Sequence, residues 1–296
     1  MWLFYALLTP FFFGIVHVLD EHCVDEIFEK PWIGVVTGAI ASMVVFLGLP
    51  YLAPVLNWVV PTPKILIFAL LSGVLIQGSV FLYFNALRYS EAGIVAAYWN
   101  MVPAFVPIIS FFVLGEILNG IQYIGIIILI IASASLCLLD ANIRTRWIAF
   151  FLMFISAILQ SITFLLEDVV FESIPYSEGF YIITFGLILS GFIPLLFREP
   201  RNTIRKNTLT LSSIAKLILF IEIINLAALA TTQKAVDLGI PSLVAAVEST
   251  IPAYTFIIGF ILFTLGSKYG NSNSIQRITS KLLLVCLMVT GVILVS

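Results

Sequence analysis

Charge is scarce in this sequence. Asp, Glu, Lys and Arg make up 10% of its 296 residues, against roughly a quarter in an ordinary soluble domain, and so small a share excludes a normal water-facing surface. The balance is slightly acidic, with 14 basic and 16 acidic residues and a net charge of −2. A basic face that tracks phosphates is therefore missing, and nucleic acid is not an expected partner. Cys23, Cys137 and Cys286 are far apart, and the last two sit in apolar runs where a thiol behaves as a small hydrophobe. Neither a disulfide framework nor a metal site is expected, and no cofactor is implied. The apolar runs hold almost no Asp or His, so they lack the paired aspartates, Ser-His sets or His-Glu-x-x-His of an intramembrane enzyme. Nothing resembles a phosphate loop, which argues against ATP as the driving force. Met1-Trp2-Leu3 carries no basic region, and its apolar run ends at Asp20-Glu21 instead of small residues, so it reads as a retained helix.

What is present in quantity is apolar length: 61% of the residues are hydrophobic. A hydrocarbon core about 30 Å thick needs about 20 apolar residues per helix. Runs bounded by charge, Gly or Pro predict spans at 2–19, 32–52, 65–87, 92–115, 119–139, 146–166, 179–197, 213–236, 241–265 and 277–295. The expected fold is an all-α membrane protein of ten transmembrane helices. Pro50, Pro54, Pro61 and Pro63 fall in or after the second span, so residues 51–63 read as a loop at the membrane surface.

An internal repeat turns this pattern into an architecture. Setting Pro103 over Pro252, an offset of 149 residues, aligns Asn85–Phe112 with Lys234–Ile261 without a gap. Val95-Ala96-Ala97 falls on Val244-Ala245-Ala246, and Ile108-Ile109 on Ile257-Ile258. The matched helices are the fourth and ninth, five spans apart, so they cross in opposite senses. The chain then divides into two inverted five-helix repeats, 1–142 and 143–296. Substrate sites in such folds lie between the repeats, where helices broken by Pro or Gly face a cavity. Pro103 and Pro252 are breaks of that kind.

The run Tyr83-Phe84-Asn85-Ala86-Leu87-Arg88-Tyr89-Ser90-Glu91-Ala92, followed by Pro103-Ala104-Phe105, Leu114-Gly115-Glu116 and Gln122-Tyr123-Ile124-Gly125, resembles the drug/metabolite transporter superfamily, in particular its ten-helix EamA-type branch. Phe13-Gly14 resembles the family's Trp-Gly. The second half keeps Ala235 and Pro252 but departs at Phe263-Thr264-Leu265, where Leu-Gly-Glu would fall. The resemblance implies a secondary transporter with a central cavity lined mainly by helices one, three, four, six, eight and nine. It implies no particular substrate, since the superfamily handles amino acids, nucleotide derivatives, drugs and lipid head groups.

Two expectations for sidedness oppose each other. Lys30, Arg88, Arg144, Arg146, Arg198, Arg201, Arg205, Lys206, Lys216, Lys268, Arg277 and Lys281 fall at odd-numbered links, leaving Lys64 and Lys234 for the other face. Positive charge concentrates in cytoplasmic loops, which puts both termini outside. The acidic link of Glu167, Asp168, Glu172 and Glu178 lies opposite the basic ones. The family resemblance implies both termini in the cytoplasm, with a bacterial inner membrane as the expected location and a monomer or homodimer as the expected assembly.

Ionisable residues inside spans cost at least about 2.5–3.5 kcal/mol, so they are candidates for function. In the eighth span Glu222, Asn225 and Gln233 fall close to one helical face. Glu248 stands four residues before Pro252, one turn from the expected break. Either carboxylate can serve as a proton-coupling group, as a ligand for a substrate amine, or as a structural group bonded to neighbouring helices. Lys234 can meet an anionic substrate, pair with Asp237 or Glu248, or snorkel to the interface. Gln77, Asn85, Asn100 and Gln160, with Tyr83 and Tyr98 near them, lie in the other cavity-facing helices, where they touch substrate or tie helices together at about 0.6 kcal/mol per bond. Trp99 aligns with Glu248 as a cavity wall or a packing aromatic. His17 is a candidate proton acceptor at the pore mouth. His17, Asp20, Glu21, His22 and Cys23 have metal-ligand chemistry, but their position reads as the charged flank of a span.

The expected function is secondary-active transport of a small polar or amphipathic metabolite, amino-acid-like or related, by alternating access around a midplane site, with protons as a coupling ion. The competing reading is a flippase for a lipid-linked head group, which differs in a side opening to lipid.

Overall fold

Hydrocarbon offers no partner for backbone N–H and C=O groups, so a chain this apolar must satisfy them within each segment, and the helix does so. The computed structural model describes residues 1–23, 31–52, 59–90, 92–139, 147–206, 208–267 and 277–296, and no strand occurs among them. In chain order the helices are α1 (Trp2–Cys23), α2 (Pro31–Ser42), α3 (Val44–Leu52), α4 (Pro63–Ala86), α5 (Ala92–Trp99), α6 (Val102–Val113), α7 (Gly120–Leu138), α8 (Trp147–Ser173), α9 (Tyr176–Gly191), α10 (Arg198–Lys206), α11 (Thr208–Leu238), α12 (Pro241–Glu248), α13 (Ile251–Thr264) and α14 (Ile278–Val295). Among the described residues nine stretches are long and apolar enough to span a membrane, and α2 with α3 supplies a shorter tenth, Trp32–Gly48.

Helix packing follows an exchange of each span with the one five places on. The α4 helix packs on α8 and α9, while α11 packs on α1 and α2; α6 lies on α8, and α13 on α1; α7 and α14 pack on one another. Small residues let the closest pairs meet backbone to backbone, as is usual between helices in lipid. A Cβ added to Gly73 of α4 would come within 2.1 Å of the Ile183 carbonyl of α9, and one added to Gly186 within 2.4 Å of the Leu70 carbonyl. Gly125 of α7 and Gly291 of α14 face each other less tightly: a Cβ on either would stand 3.0 or 3.2 Å from the other's carbonyl, with side chains of Val295 and Leu129 nearer.

The fourth and ninth spans are each broken, as the repeat predicts. An N–H at position 103 would bond the Trp99 carbonyl, and one at 252 the Glu248 carbonyl; proline has none. Both breaks therefore tighten to i→i−3 bonds, and they do so in register. Asn100 and Met101 N–H donate to Ala97 and Tyr98 carbonyls at 3.2 and 3.0 Å, and Ser249 and Thr250 N–H to Ala246 and Val247 at 3.2 and 3.0 Å. Pro103 and Pro252 then sit in the first turn of α6 and α13, where a missing N–H costs nothing.

Three expectations change. The sixth span does not end at 166: α8 continues to Ser173, so Glu167 is a buried residue of the span and no part of an acidic link. Glu178 is likewise buried, in the first turn of α9, with the Ser177 hydroxyl 2.6 Å from its Oε2. Lys281 is not in a link either; it lies within α14, 4% exposed, its ammonium 5.7 Å from the Phe256 ring centroid. The apparent departure at Phe263-Thr264-Leu265 also resolves. The α13 helix is two residues longer than α6, and Leu265-Gly266 ends it as Leu114-Gly115 ends α6. Both glycines are left-handed, at φ +71° for Gly115 and +69° for Gly266. Nothing lies within 4 Å of a Cβ at either, so Gly115→Ala is expected to cost only the backbone strain of about 1–2 kcal/mol. Thermal unfolding in detergent checks this; an unchanged midpoint would refute it. The side chains of Asp20, Glu21, His22, Cys23, Lys30, Glu91, Arg144, Arg146, Arg205, Lys206, Lys216 and Lys268 lie outside the described residues, as do the loop at 53–58 and the repeat boundary at 142.

Candidate functional site

Polar side chains converge where α1, α4, α8, α11 and α12 meet. Each is presented by a helix whose other faces are apolar, so the bonds they make are with one another. Glu167 of α8, 2% exposed, accepts from Gln233 Nε2 of α11 at 2.7 Å and from the Ser72 hydroxyl of α4 at 3.3 Å. The residue before Gln233, Thr232, donates its hydroxyl to Glu248 at 2.6 Å. Glu248 is the last residue of α12, and the broken ladder there places its carboxylate at the junction of two half-helices. The Thr9 hydroxyl of α1 lies 3.3 Å from that of Thr232 and 3.0 Å from that of Thr231. Adjacent residues of one helix thus hold two carboxylates from different helices. Isolated charges in such a place are expensive; here hydroxyl and amide donors offset part of that cost.

Other candidates are placed elsewhere. Glu222 accepts from Thr37 of α2 at 3.1 Å and from Asn225 at 3.3 Å. It shares α11 with Gln233 but lies about 16 Å along the axis from it, so the three residues of that face serve two neighbourhoods. Lys234 pairs with Asp237 and rests 4.7 Å from the Tyr176 ring centroid. Tyr176 in turn donates to the Ala230 carbonyl at 2.7 Å. Gln77 donates to the Val35 carbonyl at 3.1 Å, tying α4 to α2. Asn85 and Asn100 bond carbonyls of their own helices, the second at the α5–α6 break. Tyr98 packs edge-on to Phe150, with centroids 5.5 Å apart. Gln160 and His17 are half-buried on α8 and α1. Sequence reasoning missed Glu167, Thr9, Ser72, Thr231 and Thr232. Glu167 was hidden by the charges that follow it, and the hydroxyl residues by their near-neutral hydropathy.

The EamA-like transporter family matches residues 1–138. The first half of the chain is thus similar to that family. No curated protein matches. A solved crystal structure is similar over 98% of this chain and 96% of its own length, with a TM-score of 0.69 at 15% identity. That likeness carries the fold alone, and it covers the stretch past residue 138 as well. With nine stretches long and apolar enough to cross a bilayer among the described residues, the chain is a multi-pass membrane protein whose first half is similar to a transporter family. The second half, beyond the matched residues, has a broken helix in the same register and a corresponding set of helix contacts.

Proposed function

We propose that the chain is a secondary-active carrier of a small polar or amphipathic metabolite, working by alternating access around the buried site of Glu167, Thr232, Gln233 and Glu248, with protons as the coupling ion. The repeats would be 1–142 and 143–296, and the bacterial inner membrane is the compartment that fits the family. The observation that carries this reading is that helices of both halves contribute to one polar cluster beside a broken helix. A site shared in this way must rearrange when the halves rock. Protonation lets carboxylates cross between aqueous faces at lower cost, because a neutral acid is far cheaper than a charge in hydrocarbon.

The test is transport by purified protein in proteoliposomes. An imposed pH gradient is expected to drive saturable accumulation of a labelled metabolite against its own gradient, and collapse of the gradient by a protonophore is expected to abolish it. Accumulation that ignores the proton gradient would remove the coupling, and flux that never saturates would remove the carrier.

A further inference from the structure

The link from the seventh span to the eighth is basic. Its helix α10 carries Arg198, Arg201, Arg205 and Lys206 against a single acid, Glu199. It packs on the 3-10 turn Ile193–Leu196 that follows α9. Phe197, between the two, is extended at φ −88° and ψ 148°, so the chain turns out of the span there. The Arg201 guanidinium holds that turn, donating from Nη2 to the Leu196 carbonyl at 3.3 Å and from Nε to the Phe197 carbonyl at 3.4 Å. Arg198 is exposed beside it, as are Leu196 at 75% and Phe197 at 63%. Large apolar side chains and guanidinium groups thus leave the same turn.

The charge around this turn is one-sided. Among the described basic side chains outside the spans, Arg88, Arg198, Arg201 and Arg277 stand at the face where α4 and α9 end, and Lys64 stands at the other. Lys234 lies near that other face, but Asp237 matches its charge. Helix dipoles do not account for the difference. Both faces hold helix C-termini, which favour cations, yet at the second face the last turns of α8 and α11 carry Glu172 and Asp237 and no basic residue. Trp147 opens α8 at the basic face and is exposed, the usual place of an aromatic at the membrane interface.

We propose that α10 and the turn before it form a docking surface for anionic phospholipid, whose phosphodiester is taken by Arg198 and Arg201 while Leu196 and Phe197 enter the acyl boundary. Arginine presents paired N–H donors that fit phosphate oxygens, and Arg201 spends only two of its five on carbonyls. A basic cluster directly at the end of a span draws negatively charged lipid, each cation near the surface contributing about a fivefold preference. The apolar pair commits the surface to a lipid, since a free phosphate has no use for exposed leucine and phenylalanine. A lipid held there anchors the link that leads into α11. The surface lies apart from the buried carboxylates, so it stands whether or not the carrier reading does.

The purified full chain in dodecyl maltoside, titrated with phosphatidylglycerol, phosphatidylcholine or inorganic phosphate, tests this through the unfolding midpoint and the lipid retained in native mass spectrometry. Phosphatidylglycerol is expected to act at concentrations at least about tenfold below phosphatidylcholine, and the difference should shrink in high salt. Inorganic phosphate should leave the midpoint where it was. Arg198→Gln is expected to cut the preference for phosphatidylglycerol about fivefold, and Arg198→Gln with Arg201→Gln to remove it, while Lys64→Gln at the opposite face keeps it. Should the double variant fail to fold, Arg198→Gln decides alone, because the bonds that hold the turn come from Arg201. Equal action of the two lipids, stabilisation by inorganic phosphate as strong as by phosphatidylglycerol, or full preference in Arg198→Gln overturns the proposal. An equal loss in Arg88→Gln overturns it too, since the attraction would then belong to the whole face and not to α10.

Discussion

Transport by the Glu248→Gln variant is expected to fall by about 100-fold or more, with the protein still inserted, folded and extractable. The substitution is nearly isosteric, and the new amide oxygen can still accept the Thr232 hydroxyl that now reaches Glu248 at 2.6 Å. What disappears is a charge that can be gained and lost. Removing one member of a buried charged contact costs about 2–5 kcal/mol, and each 1.4 kcal/mol is tenfold, which sets the scale of the loss. Glu167→Gln should behave alike. Its two donors, Gln233 and Ser72, come from different helices but both reach Oε1, so the single amide oxygen of glutamine can accept from both. Initial rates of pH-driven uptake in proteoliposomes, normalised to reconstituted protein, measure both effects. A Glu248→Gln protein with wild-type rates would take that residue out of the mechanism.

How much of this was legible in the sequence depended on the length scale of the signal. Ten spans could be read because each is a run of some twenty apolar residues, and the broken helices could be read because Pro103 and Pro252 remove specific hydrogen bonds. The register of the breaks matched the alignment residue for residue. Glu167 could not be read. A carboxylate near the end of an apolar run looks like a boundary, and only the donors that Gln233 and Ser72 bring from other helices make it tolerable inside one. The Leu-Gly end of α13 was missed for a different reason: an ungapped alignment cannot follow a helix that has gained two residues. Thr9 and Thr232 illustrate the remaining gap. Threonines in apolar helices usually bond their own carbonyls, as Thr231 does to Ala227 and Ala228, and no local pattern separates those from one aimed at a carboxylate sixteen residues away.

A second large effect should fall on stability alone. Gly73→Leu or Gly186→Leu is expected to leave little folded protein, and even Gly73→Ala should cost about 3 kcal/mol or more, at the upper end of overpacking. The neighbours of a Cβ at Gly73 are the Ile183 carbonyl at 2.1 Å and the Leu187 N–H at 2.4 Å. Both are backbone and cannot turn aside, so α4 and α9 would have to separate. The repeat-equivalent seam between α11 and α2 makes an informative control. There Glu222 stands in the place of Gly73, its carboxylate bonded to Thr37, and a Cβ at Gly38 would meet Glu222 Oε2 at 3.4 Å. That contact is the end of a side chain with room to give, so Gly38→Ala should shift stability by less than about 1 kcal/mol. Fluorescence-detected size exclusion after a heat challenge compares the variants in one experiment. If Gly73→Ala and Gly38→Ala melt together, the two seams are packed alike. If they part as expected, the α4–α9 seam is the one that must stay shut. The α2–α11 seam, where a side chain stands in place of that backbone contact, is then the more tolerant of the two.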